Sequence, residues 1–196
     1  MANTQQRTNV TKEITRIYRQ EVVFVWRYLQ KLGVASRDLE DCVHEIFVVL
    51  FKNWKKYDAT RPIRPWLCGI ASNVASDYRR RASNRRERLT GDGEDTIRDA
   101  AQSATGDLEM THSPGDGNPE ARLELDSLRH LILTALNTLS EQQRKVFVLH
   151  DIEGFSIPEI VMSLDISEST LYSQLRLGRK KFVAAFRQQQ AIRGER

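Results

Sequence analysis

Cysteine is scarce. Cys42 and Cys68 are the two cysteines in 196 residues, they lie far apart, and neither has a C-x-x-C partner. That excludes a disulfide framework and a cysteine-built zinc site, and it suits a reducing cytoplasm. Long apolar runs are also missing. The longest, Ile46–Phe51, has six residues, whereas a membrane-spanning helix needs about 20, so no membrane insertion is expected. Met1–Val10 is polar and carries no apolar stretch resembling a secretory signal. There is no G-x-S-x-G, no phosphate-binding glycine-rich loop and no H-E-x-x-H. No catalytic residue, cofactor, metal or small-molecule substrate is therefore expected.

Aromatic residues are absent from one long stretch. Ten lie between Tyr18 and Tyr78, none between Arg79 and Val146, and five from Phe147 to Phe186. Within that gap, Thr90–Asn118 is rich in Gly, Asp, Ser and Thr and ends in Ser113-Pro-Gly-Asp-Gly-Asn-Pro119. Such a segment buries too little apolar surface to offset its ordering entropy. The expected organisation is all-α: a disordered tail at 1–10, a helical domain at 11–89, a flexible acidic linker at 90–118, a second helical domain at 119–190 and a tail at 191–196.

Charge follows the same division. The formal net charge of +4 combines a segment 87–126 with eleven acids and three bases with a remainder of 27 bases and 15 acids. A remainder at +12 beside a connector at −8 points to an anionic partner for the basic parts. The competing reading is a solvated surface with an acidic linker.

Helical spacing recurs throughout both domains. Ile14, Ile17, Tyr18, Val22, Val25 and Leu29 form one stripe, closed by Gly33 as a stop signal. Val43, Ile46, Phe47, Leu50, Phe51 and Trp54 form a second. Arg61-Pro-Ile-Arg-Pro65 then forces an extended turn, and a third helix is expected from about Pro65 to Arg81, with Leu67, Ile70, Ala71, Val74 and Tyr78 inward. In the C-terminal domain, Asn118-Pro119 opens a helix with Leu125, Leu128, Ile132, Leu136 and Leu139 on one face. Ser140–Gln143 and Ser156–Glu159 have capping-box form. The break Leu164-Asp-Ile166 and the cap Ser167 precede a final helix.

Three constellations could carry function. A short helix, a three-residue break and a longer capped helix make a helix-turn-helix pattern. Ile160, Leu164, Ile166, Leu171 and Leu175 would lock its crossing. Glu168, Ser169, Tyr172, Ser173, Arg176 and Lys180 would face out towards base edges, with Arg176, Arg179, Lys180 and Lys181 available for phosphates. On the third helix, Trp66, Asn73 and Arg80 fall at i, i+7 and i+14, with Gly69, Ser72 and Ser76 around Asn73. An amide can address one base edge and an indole can stack on an unpaired base. Arg61, Arg64, Arg79, Arg80, Arg81, Arg85 and Arg86 flank that stripe. The alternative places Trp66 in the core and leaves the arginines solvating a helix end. On the second helix, Asp38, Asp41 and Glu45 form an acidic edge with His44 beside them, suited to protein docking or to plain solvation. A metal site would need ligands from a second segment, and the remaining histidines stand in no ligand spacing.

Taken in order, these segments resemble the extracytoplasmic-function branch of bacterial sigma factors. Glu40-Asp-Cys-Val-His-Glu-Ile-Phe47 is similar to that family's core-polymerase-binding helix, and Arg64–Arg80 to its promoter-melting segment. Leu139–Phe147 and Gly154–Ile160 are similar to its C-terminal domain, and Ser169-Thr-Leu-Tyr-Ser-Gln-Leu-Arg176 to its recognition helix. The resemblance implies core RNA polymerase and promoter DNA as partners, an anti-sigma factor as a further one, and residence in the cytoplasm, on the nucleoid when bound to polymerase. It implies core docking by Asp38, Asp41, His44, Glu45 and Phe47. It implies minus-ten contacts from Arg61, Arg64, Trp66, Asn73, Arg79 and Arg80, with Asn73 capturing a flipped base. It implies minus-thirty-five contacts from Glu168, Ser169, Thr170, Tyr172, Ser173, Arg176, Arg179 and Lys180. The acidic linker would thread towards the polymerase channels.

The chain departs from the family pattern at His44 (usually Gln), Val161 (Ala), Asp165 (Gly), Gln174 and Leu177 (Arg), and Gly178 (Ala). Promoter preference therefore does not transfer from relatives. The expected function is a dissociable promoter-specificity subunit that assists melting and is not itself an enzyme. Two rivals are a stand-alone helix-turn-helix regulator and a metal-dependent nucleic-acid-processing enzyme built on Asp38, Asp41 and Glu45.

Overall fold

The computed structural model describes residues 2–89 and 119–194. The expected acidic linker, 90–118, lies outside them. Seven α-helices order the described residues: α1 Ala2–Lys31, α2 Leu39–Asn53, α3 Ile63–Leu89, α4 Pro119–Asn137, α5 Glu141–Phe147, α6 Ile157–Leu164 and α7 Glu168–Gly194. No strand occurs among them. The outer helices run further than the apolar periodicity implied: α1 already starts at Ala2, α3 continues to Leu89 and α7 reaches Gly194. These polar extensions hold no glycine or proline inside the helix, so nothing local stops them.

Helix ends follow from local chemistry. Gly33 sits at φ +86°, Gly33 N–H donates to Gln30 O and Val34 N–H to Leu29 O, which is a Schellman closure of α1. Ser140 and Gln143 make a reciprocal capping box on α5, and Ser167 Oγ accepts from Thr170 N–H at the start of α7. Ser156 N–H donates to Glu159 Oε2 at 2.9 Å before α6. This cap, an exposed one, holds the Glu159 carboxyl below its ordinary range. Between α6 and α7, Asp165 adopts φ 52°, ψ 52°. An acid thus takes the left-handed position that usually needs glycine.

In the N-terminal half, α1, α2 and α3 pack against one another. In the C-terminal half, α7 lies against α4, α5 and α6. The halves also meet: α3 packs on α6, and α1 touches α4. Buried residues of both halves, from Leu29 and Leu67 to Leu136, Ile160 and Leu171, belong to one continuous apolar cluster. Cys42 and Cys68 are free thiols inside it, and burial pushes the Cys42 thiol up to about 11. The expected inward face of α4 holds only at its C-terminal end. Leu136 and Leu139 are buried, but Leu125 and Leu128 are exposed, because no other described element covers that part of α4.

Candidate nucleic-acid interfaces and acidic edge

The final helix presents the face its spacing implied. Leu171, Leu175 and Gly178 point inwards, whereas Glu168, Ser169, Thr170, Tyr172, Ser173, Arg176, Arg179 and Lys180 are all exposed. Gly178 packs beside α5, where an added Cβ would stand 3.4 Å from Gln143 O. One cation on the outer face is already engaged. Arg179 donates from Nε to Asp151 Oδ2 at 2.8 Å and from Nη2 to Asp151 Oδ1 at 2.6 Å. These bonds, with one to His150, hold the Asp151 carboxyl below its ordinary range. Asp151 is a site residue that sequence reasoning did not single out. It lies 28 positions from Arg179 and only folding joins them.

On α3, Asn73 and Arg80 are exposed and Trp66 is half-buried. Trp66 stacks on Tyr57, with ring centres 5.0 Å apart and planes 14° apart, and Tyr57 in turn lies 5.2 Å from Trp54. Trp66 therefore joins both earlier readings: part of its ring is packed and part is open. Tyr57 OH donates to Arg61 O at 2.7 Å, which fixes the loop before α3. Arg64 is clamped from α1. Its Nε donates to the buried Glu21 carboxylate at 2.8 Å, and its guanidinium lies 4.9 Å from the centre of the Phe24 ring. Arg79 turns away from the exposed stripe and faces Glu141 of α5 at 3.8 Å.

The acidic edge is divided by its own pairings. Tyr78 OH donates to Asp38 Oδ2 at 2.8 Å, and burial followed by this bond raises the Tyr78 pKa. Glu45 pairs with Arg81 at 3.2 Å. Asp41 and His44 are exposed, as is Glu40. Phe47, expected at the docking edge, is buried; its ring meets Tyr18 edge-on at 4.8 Å. Near Phe47, the side chains of Tyr18 and Phe51 reach solvent. Helical spacing put Phe47 and Phe51 on one face but could not show which of the two α1 would cover. Among the described residues, no three His, Cys, Asp or Glu side chains stand together as a metal site, and no helix is long and apolar enough to cross a membrane.

Two family descriptions match the chain: "Sigma-70 region 2" over residues 17–85 and "Sigma-70, region 4" over residues 129–182. Relatives include the RNA polymerase sigma factor NccH of Alcaligenes xylosoxydans xylosoxydans, 30% identical over 82% of this chain and 80% of its own. The ECF RNA polymerase sigma factor SigL of Mycobacterium tuberculosis is 29% identical over 81% of this chain and 80% of its own. Among solved structures, CnrH in complex with the cytosolic domain of CnrY aligns with a TM-score of 0.59 at 22% identity, over 92% of both chains. RpoE in complex with the anti-sigma factor NepR from Bartonella quintana aligns with a TM-score of 0.60 at 16% identity, over 87% of this chain and 96% of its own. These two likenesses establish a shared fold. Family matches in both halves, in the order of their segments, together with the relatives' identity and coverage, show that the chain belongs to the extracytoplasmic-function branch of the sigma-70 family of RNA polymerase sigma factors.

Proposed function

We propose that the chain is a dissociable promoter-specificity subunit of core RNA polymerase, acting in the cytoplasm, with catalysis left to the polymerase. The observation that carries this reading is the pairing of two outward-facing helix surfaces in one chain: the Trp66–Asn73–Arg80 stripe of α3 and the 168–180 face of α7. The first suits a single strand, since it offers a partly open indole and an accessible amide. The second suits a major groove, since it offers short polar side chains near the helix start and cations beyond them.

Glu168, Ser169, Thr170, Tyr172, Ser173, Arg176, Arg179 and Lys180 would address the minus-thirty-five element. Asn73 would take a flipped base of the minus-ten element, with Trp66, Arg61, Arg64 and Arg80 around it. Asp41, His44 and Glu45 would dock on the polymerase, with Tyr18 and Phe51 supplying apolar contact. Asp38 and Phe47 would support that edge from behind. An anti-sigma factor is a further partner in this reading, by analogy with the RpoE–NepR complex.

The test is reconstituted transcription from a matched promoter with purified core polymerase. Specific transcripts are expected only when the chain is added. Asn73→Ala should reduce open-complex formation about 5-fold or more, as expected for losing a readout contact of roughly 1–3 kcal/mol, and should leave polymerase binding unchanged. Tight operator binding without polymerase, and no transcript with it, would establish the stand-alone regulator instead.

A further inference from the structure

One histidine of the C-terminal half stands where its charge bears on a cation of α7. After α5, Val148–Ile152 form one turn of wider π-helix, followed by a bond from Glu153 N–H to Val148 O at 2.9 Å. Turns of this kind are frequent at functional sites. Val148 and Leu149 are buried and pin the turn. His150 and Asp151 meet Arg179 of α7 beside it. The His150, Asp151 and Arg179 side chains are 30%, 20% and 51% exposed, so protons reach all three.

Two groups compete for one oxygen. Arg179 Nη2 donates to Asp151 Oδ1 at 2.6 Å and lies 3.4 Å from His150 Nδ1. His150 Nδ1 lies 2.9 Å from that same Oδ1. A neutral ring has either a lone pair or a proton at Nδ1, so it accepts from Arg179 or donates to Asp151. A charged ring can only donate. Two cations then stand side by side and share Oδ1, and the trio passes from net charge zero to +1. Asp151 stays ionised through that change, because its bonds hold its carboxyl below the ordinary range. Other charged groups of these elements are turned elsewhere. Glu153 pairs with Lys31 at 2.5 Å. On α5, Arg144 donates to Leu32 O and Lys145 pairs with Glu141 at 2.7 Å. Arg176 and Lys180 of α7 are exposed and have no partner among the described residues.

We propose that His150 is a proton-operated control on Arg179: a protonated ring takes over Asp151 and releases Arg179 to a DNA phosphate. This rests on the reading of α7 as the duplex-facing helix. Histidine is the ordinary side chain that changes charge between about pH 5 and 8. The charged state carries one more free cation, so duplex affinity rises as pH falls. His150 acts here as a positioning residue, through Arg179.

The experiment titrates the full chain with a random-sequence DNA duplex pool, by anisotropy across a salt series at about pH 8 and about pH 5.5. Circular dichroism at both values checks that helix content is kept. His150→Asn keeps a polar group without a titratable charge, and His150→Arg is charged at both values. The natural chain is expected to steepen its log–log salt slope by about 0.9 on acidification, which is one added phosphate contact. His150→Asn should keep the shallow slope at both values and His150→Arg the steep one, and Arg179→Ala should show no response. An equal response in His150→Asn would assign it to His44, His112 or His130 and overturn the control. A response kept in Arg179→Ala would make His150 itself the phosphate contact and overturn it as well. Nuclear magnetic resonance of the free chain reads Arg179 Nε–H, which bonds Asp151 Oδ2 at 2.8 Å. Its shift should follow pH in the natural chain and stand still in His150→Asn; a signal fixed in both sinks the control whatever DNA does. Arg176→Ala and Lys180→Ala judge the underlying reading separately. Duplex binding unmoved by either would remove α7 as the DNA face, while the Nε–H titration still judges the hold of His150 on Arg179.

Discussion

Several cations on the surfaces are held before any nucleic acid arrives. Arg64 is fixed between the Glu21 carboxylate and the Phe24 ring, so its guanidinium is oriented without further loss of rotamer freedom on binding. Arg179 is different, because its two bonds to Asp151 neutralise the charge it would offer a phosphate. To reach DNA it must give up that partner. Asp151→Asn is therefore expected to tighten non-specific duplex binding several-fold and to steepen the log–log salt slope by about 0.9, as one added phosphate contact requires. Fluorescence titration across a salt series checks it. The effect should vanish when Arg179→Ala is also present; an unchanged slope would show that Arg179 reaches no phosphate.

At the scale of elements, the helix-turn-helix depends on one backbone position. Asp165 holds the left-handed conformation that turns α6 into α7, and Ile166 N–H reaches back to Val161 O at 3.4 Å across the turn. The left-handed region disfavours a Cβ, but a short polar side chain tolerates it better than most. Asp165→Ala should destabilise the chain by about 1 kcal/mol, whereas Asp165→Gly should match or exceed the natural stability. Urea midpoints at fixed slope report both. Equal losses for the two variants would mean that the Asp165 carboxylate, and not its backbone, supports the turn. Gly178, another departure from the family pattern, is not forced by packing, since the Cβ contact at 3.4 Å is an ordinary one.

For the whole molecule, the Glu141 carboxyl joins the halves. Burial pushes its pKa up, but bonds from Lys145 and Ser76 and the charges of Arg79 and Lys145 outweigh that, leaving it below the ordinary 4.5. A carboxyl whose folded pKa is depressed stabilises fully above its unfolded pKa, and that contribution is lost as pH falls through the lowered value. Arg79, Arg144 and Lys145 face it. The difference in radius of gyration between the natural chain and Glu141→Gln is expected to hold from neutrality down to the ordinary carboxylate range and to disappear only below it. Scattering across a pH series checks this. A difference that vanished near neutrality would remove Glu141 from the contact between the halves.

Most of what the sequence determined alone is local. Helix stripes, the Gly33 stop, the caps at Ser140 and Ser167, the left-handed strain at Asp165 and the outward face of α7 depend on neighbours within a few positions, where spacing and side-chain chemistry decide. What only the tertiary structure decided involves partners far apart along the chain. Glu21 meets Arg64 across 43 positions, Ser76 meets Glu141 across 65, and Arg144 meets Leu32 across 112. Packing between distant segments also put Phe47 behind Tyr18, turned Arg79 from the exposed stripe towards Glu141 and joined two expected domains in one core. Periodicity tells which face of a helix is apolar, but what covers that face is set by how the helices pack.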